Sequence, residues 1–194
     1  MSGKMTIAVL LSITLAVGAP MLSAVKKAEQ FQKYPSFRAK IEPYDPRDLF
    51  YGHYLQFRTA WNWKEKVPED SQKLYGQRKA CLCVGEGNFD PVVSVAECPS
   101  QGKTLPDCRF TLRGESQGNW NFDNGVSRYY VDETLAKPLE DLFMREKREF
   151  SLDLHVTPDG KTLPGLLYIE GVPLKDFIAQ NGGTIPAEKE NLEQ

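Results

Sequence analysis

With 24 Lys and Arg against 26 Asp and Glu in 194 residues, the chain has a net charge of −2 and no basic excess on any stretch, so it carries no electrostatic footprint for DNA or RNA. Its length fits one globular domain, and 41% hydrophobic and 26% charged residues are an ordinary globular composition. Thirteen Pro, fifteen Gly and 11% aromatics favour short strands and turns over long helices.

The chain opens on an apolar run, residues 5–25, with no charge between Lys4 and Lys26. At ~1.5 Å per residue this run reaches about 30 Å as a helix, the thickness of a bilayer core. A membrane anchor fits it better than a cleaved signal peptide. Pro20 follows the small-residue pattern at Val17-Gly18-Ala19, and Leu22 stands where a second cleavage pattern wants a small residue. Charge does not orient the span, because Lys4 flanks one side and Lys26 and Lys27 the other. The expected organisation is an anchor (or signal peptide) with a juxtamembrane segment over 1–33, a β-rich domain over 34–180, and a disordered tail rich in Gly, Glu and Lys over 181–194.

Residues 36–42 alternate Phe37, Ala39 and Ile41 against Ser36, Arg38 and Lys40, the pattern of a half-buried strand. After a rigid turn at 43–48, a second strand over 53–63 sets Tyr54, Gln56 and Arg58 against Leu55, Phe57 and Thr59. Residues 64–77 are charged and loop-like. Residues 79–84 and 92–97 read as a hairpin with its loop at 85–91, followed by a strand at 109–113, a loop over 114–125 holding Trp120 and Phe122, and a strand at 126–131. A helix then places Pro138 in its first position, with Leu139, Leu142, Phe143 and Phe150 along one face. Residues 149–156 alternate cleanly, and Pro158-Asp159-Gly160 turns them into a partner strand at 161–171. The predicted fold class is mainly β (α+β): an antiparallel β-rich domain with one short helix, preceded by a membrane helix.

The cysteines, Cys81, Cys83, Cys98 and Cys108, fall within one short segment. In a strand Cys81 and Cys83 share a face, and a bridge between them would close a tight, strained ring. Each is therefore expected to pair with Cys98 or Cys108. Zinc ligation competes poorly, since structural sites use C-x(2–4)-C spacings and this chain has C-x-C. Free buried thiols are the third reading, and the C-x-x-C of a redox motif is absent. Two disulfides require an oxidising compartment.

The run Asp45-Pro46-Arg47-Asp48-Leu49-Phe50-Tyr51-Gly52-His53-Tyr54 resembles the GDYXXLXY protein family, whose naming motif follows a D-P-R-D-L stretch. Downstream, Arg128-Tyr129-Tyr130-Val131-Asp132-Glu133 is similar to a second family segment, and Asp159-Gly160 with Leu166, Tyr168, Ile169 and Gly171 to its closing hairpin. The resemblance implies one N-terminal membrane segment, an exported domain and a multi-spanning membrane protein as partner. His53 stands where the family has Asp, Phe57 where it has Leu and Thr59 where it has Tyr. Chemistry that needs the family's Asp would be lost in this chain.

Candidate binding residues are Asp45, Arg47, Asp48, Gly52, Tyr54, Arg128, Tyr130 and Glu133. The Asp45-Pro46-Arg47-Asp48 turn offers two carboxylates around an arginine, the material of a ligand or acid–base site. The same residues also build a turn in which Asp side chains bond local backbone N–H groups. Arg128 and Glu133 flank a strand end, where an ion network with Asp48 or Arg47, and an Arg128–carboxylate contact, are expected. Trp61 and Trp63 share a strand face, either as a recognition patch, as a membrane-interface contact or as core packing. His155 sits on the polar face of its strand and is expected at the surface. No motif marks a nucleophilic serine or cysteine, serine–lysine chemistry included. No catalytic residue, cofactor or metal is predicted.

The expected function is an envelope-facing accessory or interaction domain, held in the bacterial inner membrane by a single pass. Its domain faces the periplasm or the cell exterior and works with a membrane protein partner. The alternative is an envelope hydrolase using the carboxylates of the 45–48 turn, and the third reading is a purely structural domain.

Overall fold

The computed structural model describes Gly18, Pro20, Leu22, Lys26 and residues 31–43, 54–64, 79–96, 98–100, 103–116, 122–145 and 148–186. The chain divides into two compact units, Met1–Pro35 and Ser36–Gln194. In the first, Gly18, Pro20, Leu22, Lys26, Phe31 and Gln32 are helical, and Tyr34 N–H closes the end by donating to the Phe31 carbonyl at 3.2 Å. The predicted span over 5–25 lies outside the described residues apart from Gly18, Pro20 and Leu22. Among the described residues no helix is long and apolar enough to cross a membrane.

The second unit is β-rich, as its alternating sequence dictates. Its strands are β1 (Ser36–Pro43), β2 (Tyr54–Ala60), β3 (Asn62–Trp63), β4 (Ala80–Val84), β5 (Val92–Ala96) and β6 (Phe110–Ser116). There follow β7 (Phe122–Asp123), β8 (Arg128–Tyr130), helix α1 (Glu133–Arg145), β9 (Phe150–Val156), β10 (Thr162–Ile169), β11 (Val172–Pro173) and helix α2 (Leu174–Gln180). One sheet has the order β11-β10-β9-β1-β2-β8 and the other β3-β5-β4-β6-β7. Named pairings are antiparallel except β3 with β5.

Period-two alternation turns Phe37, Ala39 and Ile41 of β1, Leu55 and Phe57 of β2, and Phe150, Leu152 and Leu154 of β9 inward. These side chains join Leu82, Val84, Val93 and Leu112 from the second sheet, and Leu139, Leu142 and Phe143 from α1, in one core. The second predicted strand is bent rather than continuous. It leaves the first sheet at Trp61 and enters the second as β3, where the Trp61 indole N–H donates to the Phe122 carbonyl at 3.0 Å. Trp61 and Trp63 both pack against the core, which selects core packing among their readings.

Beyond the end of β2, the vacated side of β1 is taken by the β4–β5 loop. Arg38 N–H donates to the Asn88 carbonyl and Asp90 N–H to the Arg38 carbonyl, each at 2.7 Å. The predicted β4–β5 hairpin forms with Cys81 opposite Ala96 and Val84 opposite Val93. The expected 114–125 loop is shorter than read, because β6 continues through Gly114 to Ser116 and pairs with β7. A β-carbon on Gly114 would overlap the Asp123 carbonyl, so this close strand approach requires glycine.

α1 begins earlier than predicted. Asp132 caps it, accepting from the Thr134 N–H at 3.0 Å and the Thr134 hydroxyl at 2.7 Å. Pro138 therefore lies inside the helix, not at its first position. The Asx cap and the Glu133 carboxylate at the positive end of the helix outweigh the proline preference. A second helix, α2, was not predicted: in its short span only Phe177 is buried. Ile185, which follows the expected boundary at 180, packs in the core; residues 187–194 lie outside the described ones.

The cysteines form two disulfides, Cys81–Cys98 and Cys83–Cys108, with Cα separations of 5.1 and 5.2 Å. Zinc ligation and free thiols are thereby excluded. β5 and β6 lie on opposite sides of β4, so the 97–109 connection crosses a face of β4. Leu82 and Val84 face the core, so Cys81 and Cys83 face the crossing chain, and both bridges pin it there. The Arg113 guanidinium adds a bond to the Pro99 carbonyl, and the Leu105 N–H donates to the Thr111 hydroxyl at 3.1 Å.

Candidate functional site

The outer face of the first sheet carries the polar residues that alternate with the core. Its cations are mostly matched to acids: Arg38 to Asp153 at 3.0 Å, Lys40 to Glu149 at 2.9 Å and Arg58 to Glu42 at 3.1 Å. Arg128, on edge strand β8, differs. Its guanidinium lies 4.8 Å over the Tyr54 ring, and among the described residues no carboxylate is set against it. Among the described residues its contact is cation–π, because the cross-strand register brings a tyrosine within reach; Asp48, an expected carboxylate partner, lies outside them. Tyr54 stands directly opposite Tyr130 and Gln56 opposite Arg128. The two tyrosine rings meet edge-on with centroids 5.8 Å apart, and Tyr130 is 71% exposed.

The β2–β8 register also sets the backbone. Phe57 N–H donates to the Ser127 carbonyl at 3.0 Å, which makes Phe57 and Ser127 a hydrogen-bonded pair. In an antiparallel ladder such pairs alternate with non-bonded ones. Tyr54–Tyr130 and Gln56–Arg128 are therefore non-bonded pairs, whose side chains approach most closely. The backbone N–H and C=O of Arg128 and Tyr130 point away from β2, towards the outer edge of the sheet. No described strand lies beyond that edge.

Of the candidate binding residues, Tyr54, Arg128 and Tyr130 come together. Glu133 lies in the first turn of α1 with an exposed side chain. Asp45, Arg47, Asp48 and Gly52 lie outside the described residues, as do His53 and Trp120.

Sequence reasoning missed a second cluster on the same face. The Asp153 carboxylate accepts from Arg38 Nε at 3.0 Å and from the Tyr168 hydroxyl at 2.8 Å, while the Arg38 guanidinium stacks 3.3 Å from the Tyr168 ring centroid. Burial, then the bond to Asp153, pushes the Tyr168 hydroxyl above the usual tyrosine range. The signal was the polar half of each alternation, which names a face but no partners until the register is known. The register also sets Lys40, Ser151 and Tyr168 in one cross-strand row, superficially a serine–lysine pair. Ser151 is only 1% exposed, beyond a substrate's reach. The hydrogen bond that Lys40 donates to the Glu149 carboxylate raises the Lys40 pKa, opposite to what a general base needs. His155 is half-buried rather than fully exposed. No group of three metal-ligating side chains occurs among the described residues.

Fold and site together define a disulfide-stapled, antiparallel β-rich α+β domain whose edge strand presents tyrosine and arginine to solvent. The family model described as GDYXXLXY protein matches residues 16–167, from within the apolar run to β10, and the chain belongs to this family. Neither a curated protein nor a solved structure matches the chain.

Proposed function

We propose that this chain is a non-catalytic interaction domain, tethered to the bacterial inner membrane by its apolar N-terminal run and facing the periplasm or cell exterior. The Tyr54–Arg128–Tyr130 surface meets a membrane protein partner. The observation that carries the reading is this trio, in which Arg128 and Tyr130 are exposed and Tyr54 is half-buried. Tyrosine and arginine are the residues enriched at interface hot spots, and here an arginine packs on one tyrosine beside another that is largely open to solvent. The two disulfides support the address, since such bonds persist outside the reducing cytoplasm. The uncharged stretch between Lys4 and Lys26 supports the tether.

The test is a crosslinked pull-down of the full chain from native membranes, comparing wild type with a Tyr130→Ala/Arg128→Ala variant. A membrane protein recovered with wild type and lost with the variant is the expected result. Equal recovery with both would move the interaction elsewhere, and no recovery with either would remove the reading. Thiol labelling of whole cells before and after an impermeant reductant checks the address. Cysteines that label only after reduction are expected, and cysteines that label only after lysis without reductant would place the domain in the cytosol.

A further inference from the structure

Resting on the interaction reading just given, we infer that the partner engages β8 by strand addition: an extended, acidic segment of a second protein pairs with β8, the strand at which the first sheet ends among the described residues. The backbone and the side chains reach this conclusion by separate routes. The N–H and C=O groups of Arg128 and Tyr130 face outward by the register of the β2–β8 ladder. An outward row of this kind is satisfied by water or by another extended backbone, and strand addition is how such edges are used in recognition. Among the described residues the sheet ends at β8.

The side chains set the chemistry of the incoming segment. Arg38, Lys40 and Arg58 on the same face are each satisfied by an acid. Arg128 instead lies over Tyr54, 4.8 Å from its ring centroid, and among the described residues no carboxylate is set against it. A cation–π contact does not use up the five N–H donors of a guanidinium, which can still bind a carboxylate. A side chain at the matching position of an added strand would stand beside Arg128 on the outer face, so an Asp or Glu there is complementary. Tyr130 flanks it and supplies an exposed aromatic surface for the neighbouring residue of the same segment.

The experiment places a photo-crosslinking benzoylphenylalanine at position 130 of the full chain in native membranes and sequences the crosslinked segment. A synthetic peptide copied from that segment is then bound to the full chain while exchange of the Arg128 and Tyr130 amide protons is followed. The expected result is an adduct to a second protein at a segment containing Asp or Glu, with slowed exchange at both amides. Arg128→Glu is expected to weaken the peptide about tenfold, and a peptide with its acid changed to Lys is expected to restore binding to that variant. An adduct to lipid or to a second copy of this chain overturns the proposal, as does a segment lacking acids. Peptide binding with unchanged exchange at the two amides overturns strand addition and leaves the interaction surface standing. No adduct at position 130, with none from a crosslinker at exposed Leu166, removes both readings.

Discussion

Asp153 holds two partners with one carboxylate, and the two contacts differ in weight. Its pair with Arg38 is partly open to water, at 20% and 26% side-chain exposure, so screening keeps that pair to under about 1 kcal/mol. The Tyr168 hydroxyl, on a buried side chain, makes a charge-assisted bond to the same carboxylate. Tyr168→Phe is expected to cost about 1–2 kcal/mol, read from the urea midpoint. Tyr168 and Tyr129 both have hydroxyl pKa values raised from the ordinary 10.0, in each case first by burial. A phenol whose folded pKa exceeds its unfolded one gives stability that is complete below the unfolded value and lost as pH rises through the folded one. Urea midpoints are therefore expected to hold up to about pH 10 and fall above it, and to fall less in a Tyr129→Phe/Tyr168→Phe variant. Thr59 makes the opposite case: its hydroxyl is buried with no hydrogen-bond partner. Replacement by near-isosteric Val is expected to stabilise by about 1 kcal/mol in the same assay, and a loss would show that the hydroxyl has a use in the fold.

The 97–109 crossing is the element most dependent on covalent help. Its path over β4 is fixed by bridges of sequence separation 17 and 25, each worth about 3 kcal/mol in the loop-entropy account. A Cys83→Ala/Cys108→Ala variant is expected to lose about that amount in guanidinium unfolding. Peptide mapping without reductant is expected to return Cys81 with Cys98 and Cys83 with Cys108. Sequence reasoning reached the bridges through the shared face of Cys81 and Cys83 but left the partners open, because the choice depends on which end of β4 each flank of the crossing approaches. α1 shows the limit in another way. Its buried face, Leu139, Leu142 and Phe143, was legible from spacing, while its start was not, since Asp132 and Pro138 are competing start signals. Pro138 inside the helix forfeits a backbone bond. Pro138→Ala is expected to raise stability by about 1–2 kcal/mol, checked by thermal melting.

Across the whole β-rich unit, the two sheets are joined at the Trp61 corner, at the β4–β5 loop beside β1, and at the Asp159-Gly160 turn. At that turn Arg113 N–H donates to the Gly160 carbonyl at 2.7 Å. Gly160 has φ +82, and a β-carbon there would lie 2.6 Å from the Thr111 carbonyl oxygen. Gly160→Ala is expected to cost about 2 kcal/mol or more and to broaden unfolding, measured by denaturant titration with the tryptophans as reporter. The turn itself was legible from Pro158-Asp159-Gly160; its role in holding one sheet against the other was not. What the sequence by itself determined was local: which residues of β1, β2 and β9 face inward, that the domain is β-rich, that the cysteines bridge, and which family the chain belongs to. Each of these follows from a periodicity, a spacing or a motif carried by neighbouring residues. Only the tertiary structure decided that Trp61 bends one strand into two sheets, that Asp153 joins Arg38 to Tyr168, and that Arg128 rests on Tyr54. Those contacts depend on strand order and register, which are settled when distant segments bury a common core, and no short stretch of chain carries that information.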